Sequence, residues 1–163
     1  MKIEILPAAH STALAILSLQ HLDNRELNPA IEKQLVTQNV AVANPQSALA
    51  DLIQLIGHRH PVGIQAWDMT VLNVPCAQVQ VTGKAVTLGT PTESTVAPNL
   101  NAKSSRVLIV IGAPGAGSEV VHATGQELQR KIKAFFGIQA RLQFRTCNQE
   151  TQSLETTKTD ELA

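Results

Sequence analysis

The stretch RVLIVIGAPGAGSEVV, residues 106–121, is the part of the chain that decides the fold. Its segment VLIVI is continuously apolar, which is typical of a strand buried on both faces. Gly112, Gly115 and Gly117 then allow a tight turn and a close approach of the backbone to a ligand. A helical pattern begins at Ser118, and the unpaired N–H groups of its first turn would face that loop. The stretch therefore predicts a strand, a glycine-rich loop and a helix whose N-terminus can receive an anion.

We predict a ligand site in this loop, because backbone N–H groups at a helix N-terminus bind phosphate or carboxylate groups. The predicted ligand-binding residues are Gly112, Gly115, Ala116, Gly117 and Ser118. The loop is not a P-loop, since Ser118 stands where that motif has its lysine. Alternatively, the glycines serve only the tight packing of the strand against the helix. The sequence identifies no catalytic residue and no cofactor, and it leaves open whether the protein is an enzyme.

The composition is that of an ordinary globular domain: of the 163 residues, 44% are hydrophobic and 16% are charged. The formal net charge is zero, so no overall field directs the chain toward nucleic acid or anionic lipid. Aromatic residues make up 2% of the chain, and modules that stack nucleic-acid bases need exposed aromatic side chains. We therefore expect neither a nucleic-acid partner nor a membrane partner.

The location expected from the sequence is the cytoplasm. No apolar run reaches the roughly 18 residues that a membrane helix needs. The first residues, MKIEI, resemble a strand and not a signal peptide. Cys76 and Cys147 form no C-x-x-C motif and have no predicted basic neighbour that would favour a thiolate. We expect both thiols to be reduced and inert.

Three helices are predicted in the first part of the chain, after a short strand at residues 2–6. The first helix is predicted from a broad apolar face that extends to Leu22. Asn28-Pro29 and Asn44-Pro45 each combine an N-cap residue with a proline at the first helical position, which is a helix start signal. The third helix is predicted to end at Gly57 in the left-handed conformation.

Later segments alternate between apolar and polar residues, as strands with one wet face do. A strand over residues 62–71 needs a bulge near Ala66–Trp67 to keep its apolar side chains inward, and this register turns Asp68 to solvent. A buried Asp68 would instead be a candidate for acid–base chemistry. A hairpin is predicted to turn at Gly83-Lys84. Residues 138–145 are predicted to form an edge strand whose arginines discourage pairing with another chain.

Together these elements predict an α+β fold with a single-layer, mixed and largely antiparallel sheet of about six strands, and with helices packed on one face. Residues 1–145 are predicted to form one domain, in which residues 89–105 are a long flexible loop, because they have turn composition and no periodicity. Residues 146–163 are polar and acidic and are predicted to be a disordered tail.

His58 and His60 have a spacing that suits metal ligands, since residues i and i+2 of an extended segment share one face. The interaction of histidine with the C-terminal end of the preceding helix explains the pair without a metal. The residues that could supply a third ligand, none of which the spacing selects, are His10, His21, His122, Asp68 and Cys76. We assign no metal site.

Two functions from different classes stay open. The first is binding of an anionic small molecule, carrying phosphate or carboxylate, at residues 112–118 beneath a cover formed by residues 89–105, with or without catalysis. The second is a non-catalytic homo-oligomeric assembly or regulatory subunit. The half-exposed strands and the shortage of clustered acids, bases and nucleophiles favour the second function. We prefer the first, and we also expect self-association.

Overall fold

The computed structural model of the chain describes residues 2–7, 12–20, 22, 48–59, 62–69, 76–81, 86–90, 105–112, 117–147 and 151–155. Within these residues the elements are, in order, β1 (Lys2–Ile5), β2 (Thr12–Leu19), α1 (Ala48–Arg59), β3 (Ile64–Asp68), β4 (Cys76–Val81), β5 (Val86–Gly89), β6 (Val107–Ile111), α2 (Ser118–Phe136), β7 (Arg141–Cys147) and β8 (Gln152–Glu155). The predicted α+β class is confirmed.

The strands form two four-stranded sheets. Sheet A has the order β5-β4-β1-β8, and sheet B has the order β3-β6-β2-β7. The described pairs are antiparallel except for β1 with β4, which is parallel. The largely antiparallel pairing is thus confirmed. The prediction of one layer with about six strands is wrong, because a second sheet covers the face of sheet B that lies opposite the helices.

Strand β2 lies where the sequence predicts the first helix. Its side chains alternate between two cores: Leu14 and Ile16 pack between the two sheets, whereas Ala15, Leu17 and Leu19 pack against the helices. A strand buried on both faces has few polar positions to reveal a period of two. Periodicity alone therefore could not distinguish this strand from a buried helix, and the predicted helix is wrong.

Strand β6 lies inside sheet B, between β3 and β2, and all five of its residues are buried. Val107, Ile109 and Ile111 face the helices, and Leu108 and Val110 face sheet A. The prediction of a strand buried on both faces is confirmed. Sheet B is therefore the middle of three layers, with the two helices on one side and sheet A on the other.

Strand β3 runs straight through the position of the predicted bulge. Ala66 faces the helices and Trp67 faces sheet A, and the register against β6 is unbroken. The predicted bulge is wrong, because a strand with two buried faces can bury side chains of either phase without one. Asp68 is consequently only 4% exposed and does not face solvent.

Helix α1 confirms the third predicted helix, but Gly57 lies inside it and does not end it. Glycine permits the left-handed conformation without requiring it, and here the helix continues to Arg59. A left-handed C-cap does end the other helix, α2, at Gly137, where φ is 69° and the N–H donates to the carbonyl oxygen of Lys133. The predicted helix at Asn28-Pro29 lies outside the described residues.

The β4–β5 pair confirms the predicted hairpin strands, with Val81 opposite Val86, while the turn itself and residues 91–104 lie outside the described part. Strand β8 falls in the predicted disordered tail and pairs antiparallel with β1. Strand β7 also continues to Cys147. An edge strand is held mainly by backbone hydrogen bonds and can consist largely of polar residues. The polar composition of this segment therefore gave no indication of β8. Residues 156–163 are not among those described.

Candidate functional site

The predicted ligand loop begins at Gly112, directly after β6. The N–H of Gly112 donates to the carbonyl oxygen of Gly63 across 2.9 Å. A Cβ at position 112 would lie 2.8 Å from Leu14 Cδ2 and 3.0 Å from the carbonyl oxygen of Ala13. Gly112 is therefore required for close packing, and its N–H is already used within the protein.

The loop ends at Gly117, which is the N-cap residue of α2. Gly117 has extended backbone, with φ −72° and ψ 152°, and no side chain in the described ranges caps the helix. The first bond of the helix runs from the N–H of Val121 to the carbonyl oxygen of Gly117. The N–H groups of Ser118, Glu119 and Val120 therefore precede the first helical bond and have no acceptor within the helix. Gly117, Ser118 and Glu119 are exposed.

The electrostatics of this end of α2 are mixed. A helix of 19 residues carries a partial positive charge at its N-terminus, which attracts anions. Glu119 lies in the first turn and competes with an incoming anion for that charge. No lysine or arginine occurs from Gly112 to Gln129. Within this segment, only backbone N–H groups and the Ser118 hydroxyl could hold an anion, and a cation would have to come from another part of the chain, such as Lys103 or Arg106.

The structure thus describes both ends of the predicted site but not its middle. Gly112 stands at the end of the central strand, and Gly117 and Ser118 stand at the start of the helix. Gly115 and Ala116 lie outside the described residues, as does most of the predicted cover at residues 89–105. Ligand binding by these five residues stays a prediction.

Two aspartates are buried: Asp51, which the sequence did not identify, and Asp68, for which the predicted register favoured a solvent-facing position over a role in acid–base chemistry. Asp51, near the start of α1, is 0% exposed, and neither of its carboxylate oxygens has a hydrogen-bond partner among the residues that the structure describes. Asp68, at the end of β3, is also buried but does have an interaction partner. The available signal for Asp51 was a carboxylate between Leu49 and Leu52 in an apolar helical pattern. A buried carboxylate without a partner is costly, which makes Asp51 a position where substitution tests stability.

The described residues contain no group of three or more His, Cys, Asp or Glu that could hold a metal ion. His122 lies on α2, where its ring packs against Phe144 with the centroids 4.0 Å apart. The side chain of His58 and all of His60 lie outside the described part, so the structure does not bear on that pair.

The two thiols occupy different surroundings. The Cys147 thiol is buried and donates to the carbonyl oxygen of Leu6 across 3.0 Å. Burial raises the pKa of the Cys147 thiol above its ordinary value. Cys76 is half-buried at the start of β4, opposite Lys2 of β1. Cys147 therefore stays protonated at neutral pH, the form in which a thiol is a poor nucleophile.

Strand β7 is an edge of sheet B, as the sequence predicts for residues 138–145. Side chains cover two of its carbonyl oxygens: Arg145 Nη1 donates to Phe144 O across 2.8 Å, and Gln152 Nε2 donates to Thr146 O across 2.5 Å. These carbonyls belong to alternate residues, which in an edge strand point away from the neighbouring strand. The covered carbonyls make this edge a poor template for a second chain.

Neither described helix is long and apolar enough to cross a membrane. No protein-family model matches the chain, and no curated protein matches it. Any inference about function therefore rests on the sequence and on the geometry of the described residues.

Proposed function

We propose that the chain binds a small molecule carrying a phosphate or carboxylate group at the loop between β6 and α2. One observation carries this proposal: α2 begins at an exposed N-cap, and none of the described side chains forms a capping bond to it. The N–H groups of the first turn are then available to water or to an anionic ligand.

The position of the loop supports the proposal. The loop leaves β6, an interior strand that is fully buried, and leads into a helix that packs on sheet B through Val121, Leu128 and Ile132. Both ends of the loop are thereby held by rigid elements. A site held in this way keeps its N–H donors in place before the ligand arrives, which lowers the entropic cost of binding.

The chemistry of the site sets limits on the ligand. Because no lysine or arginine lies between Gly112 and Gln129, this segment offsets the charge of the ligand only through the helix dipole and hydrogen bonds. Glu119 adds repulsion that grows with the charge of the ligand. We therefore expect a preference for a carboxylate or a phosphodiester over a phosphate monoester, which carries more negative charge at neutral pH.

The test is a thermal-shift screen with carboxylates, sugar phosphates, nucleotides and coenzyme A esters. A ligand at 100 times its Kd stabilises the folded state by about 2.7 kcal/mol. In a chain of this size that stabilisation raises Tm by several degrees, at roughly 2–4 °C per kcal/mol.

The informative variant is Gly117→Asp. A Cβ at position 117 meets no atom within 4 Å, so the side chain fits, and an aspartate N-cap hydrogen-bonds the same N–H groups that a ligand would use. We expect a higher Tm without ligand and no ligand-induced shift. Gly117→Ala is the matched control, since it adds a side chain without a cap and should keep the shift. A ligand shift that survives Gly117→Asp would remove the loop from the site.

Homo-oligomeric assembly is the alternative function. The covered carbonyls of Phe144 and Thr146 disfavour its simplest form, strand pairing through β7. A screen without any shift, together with a defined oligomer in light scattering, would favour assembly over ligand binding.

A further inference from the structure

The side of α2 that points away from sheet B carries opposite charges at its two ends. The side chains that pack on sheet B are buried, among them Val121, Leu128 and Ile132. The opposite side of the helix is exposed at Glu119, Ala123, Gln126, Arg130 and Lys133, which are here called the outer face of α2. The glutamate of this face lies in the first turn of the helix, and its lysine lies in the last.

The charges of α2 are separated by sign along the helix. From Ser118 to Glu127 the helix has two glutamates and no lysine or arginine, and from Leu128 to Phe136 it has three lysines and arginines and no acidic residue. This distribution complements the helix dipole. It also makes the outer face complementary to itself, because a second copy of α2 running in the opposite direction sets the positive end against the negative end.

The positions of the charges fit such an antiparallel arrangement. Glu119, Gln126 and Lys133 are seven residues apart, so they follow one line along the helix with a drift of about 20° per seven residues. A twofold axis that passes beside Gln126 sets Glu119 of each copy against Lys133 of the other. Gln126 then meets its own counterpart, so no like charges oppose each other at the axis.

The other charged or titratable side chains of α2 leave this contact open. The same register sets Arg130 against His122, but the His122 ring lies toward β7, where it packs on Phe144 with the centroids 4.0 Å apart. Lys131 is half-buried, and its ammonium group lies 5.8 Å from the centroid of the Phe135 ring. An ion pair at each end therefore defines the contact.

We propose that two copies of the chain associate through the outer faces of α2, antiparallel across a twofold axis beside Gln126, with Glu119 of each copy paired with Lys133 of the other. Interhelical ion pairs of this kind set partner choice and orientation in coiled coils. The zero net charge of the chain leaves no overall repulsion between two copies. The outer face has little apolar area, so the association is weak, and it weakens further with salt, which screens exposed charges.

The pairing also bears on the proposed ligand loop. Glu119 repels an anion at the N-terminus of α2, and Lys133 of a second copy offsets that charge. This consequence rests on the proposed function, whereas the pairing itself does not.

The test is sedimentation velocity over a range of protein concentrations, at low and high salt and without any ligand. Lys133→Glu sets two glutamates against each other at both ends of the contact, and Glu119→Lys does the same with two lysines. Either change should raise the Kd of self-association by at least roughly tenfold, because two attractions become two repulsions. The double variant, Glu119→Lys with Lys133→Glu, should restore association although its charges oppose the helix dipole.

A mixture of the two single variants tests the antiparallel register. Each glutamate of one variant then meets a lysine of the other, so the equimolar mixture should associate more tightly than either variant alone. Arg141→Glu is the matched control, because it makes the same change in net charge on β7, away from the outer face, and should leave association unchanged. Circular dichroism verifies that each variant is folded.

The proposal is overturned if the original chain is monomeric at every concentration, if Lys133→Glu associates as tightly as the original chain, or if the mixture associates no better than its components. Ligand binding is measured separately by the thermal-shift screen, so failure of the pairing and failure of the proposed function are distinguishable.

Discussion

The thiol of Cys147 donates to the backbone carbonyl oxygen of Leu6 across 3.0 Å, and this contact joins the end of β7 in sheet B to the segment that follows β1 in sheet A. The two residues are 141 positions apart in the chain. The contact adds to the backbone pairing of β1 with β8, which also joins the N-terminal and C-terminal parts of the chain, and it depends on a protonated thiol.

We expect the stability of the fold to fall in alkaline solution because of Cys147. Burial raises the pKa of this thiol in the folded state, so the unfolded thiol, with an ordinary value of 9.0, ionises first. The stabilisation from the protonated thiol is thus fully present below pH 9.0 and is lost as the pH rises through the higher folded pKa. Urea unfolding between neutral pH and pH 10.5 measures this loss. In Cys147→Ala the alkaline decline should be smaller, and an unchanged decline would contradict the assignment.

Alkylation should distinguish the two cysteines. Iodoacetamide reacts with thiolates, so half-buried Cys76 should be modified in the folded protein while Cys147 is protected. Mass spectrometry of the digested protein measures both sites. Modification of Cys147 as fast as that of Cys76 would show that the Leu6 contact opens readily.

Replacing Asp51 by leucine should stabilise the protein. The carboxylate is fully buried and has no hydrogen-bond partner in the described part of the chain, and an unsatisfied buried polar group costs about 1–3 kcal/mol, more when charged. A smaller loss, about 0.3–1 kcal/mol, follows from removing a favourable charge near a helix N-terminus. Chemical denaturation should therefore show a net gain. Asp68→Ala is the contrasting variant: Asp68 is buried with a partner, so its loss should destabilise the fold. Destabilisation by both variants would mean that Asp51 has a partner in solution.

Gly125 sets the distance between α2 and sheet B. A Cβ at this position would lie 3.0 Å from Ala15 Cβ and 3.3 Å from Leu142 Cδ1 and Phe144 Cε1. Gly125→Val should therefore cost about 1–3 kcal/mol through overpacking. Gly125→Ala should cost less, because alanine gains up to about 1 kcal/mol of helix propensity over glycine. Thermal unfolding measures both, and a neutral valine variant would show that the helix can shift outward freely.

Uncovering the β7 edge should promote self-association. Arg145→Ala combined with Gln152→Ala exposes the carbonyls of Phe144 and Thr146, which then become acceptors for another strand. We expect an increase in mass with concentration in size-exclusion chromatography with light scattering. Gln126→Ala, at an exposed position of α2, is the control and should leave the mass unchanged. If the double variant keeps the mass of the original chain, the edge is protected by other means.

Several elements were predictable because their signals are local. The apolar run VLIVI indicates the buried strand β6, and the apolar spacing of Leu49, Leu52 and Ile56 indicates α1. The alternation of apolar and polar residues indicates the two strands of the β4–β5 hairpin. Such patterns arise because the side chains of a single helix or strand turn toward the core at regular intervals. They survive in the sequence whatever the neighbouring elements are.

The sequence predicted where the loop of the candidate site begins and ends, but not the role of each glycine in it. Glycines after a buried strand marked Gly112 and Gly117, but their separate roles depend on neighbours. Gly112 is confined by Leu14, from a strand that the sequence pattern assigned to a helix. Gly117 faces open space, which only the packed structure can reveal.

By itself, then, the sequence determined the α+β class, the central strand β6, the helix α1 and the strand–loop–helix unit that carries the proposed site. Only the tertiary structure decided that there are two sheets, that Thr12–Leu19 is a strand, and that Asp68 is buried. The physical reason is that an element buried on both faces loses the polar positions that record its period. An edge strand such as β8 is held mainly by backbone hydrogen bonds, which leave little trace in side-chain composition.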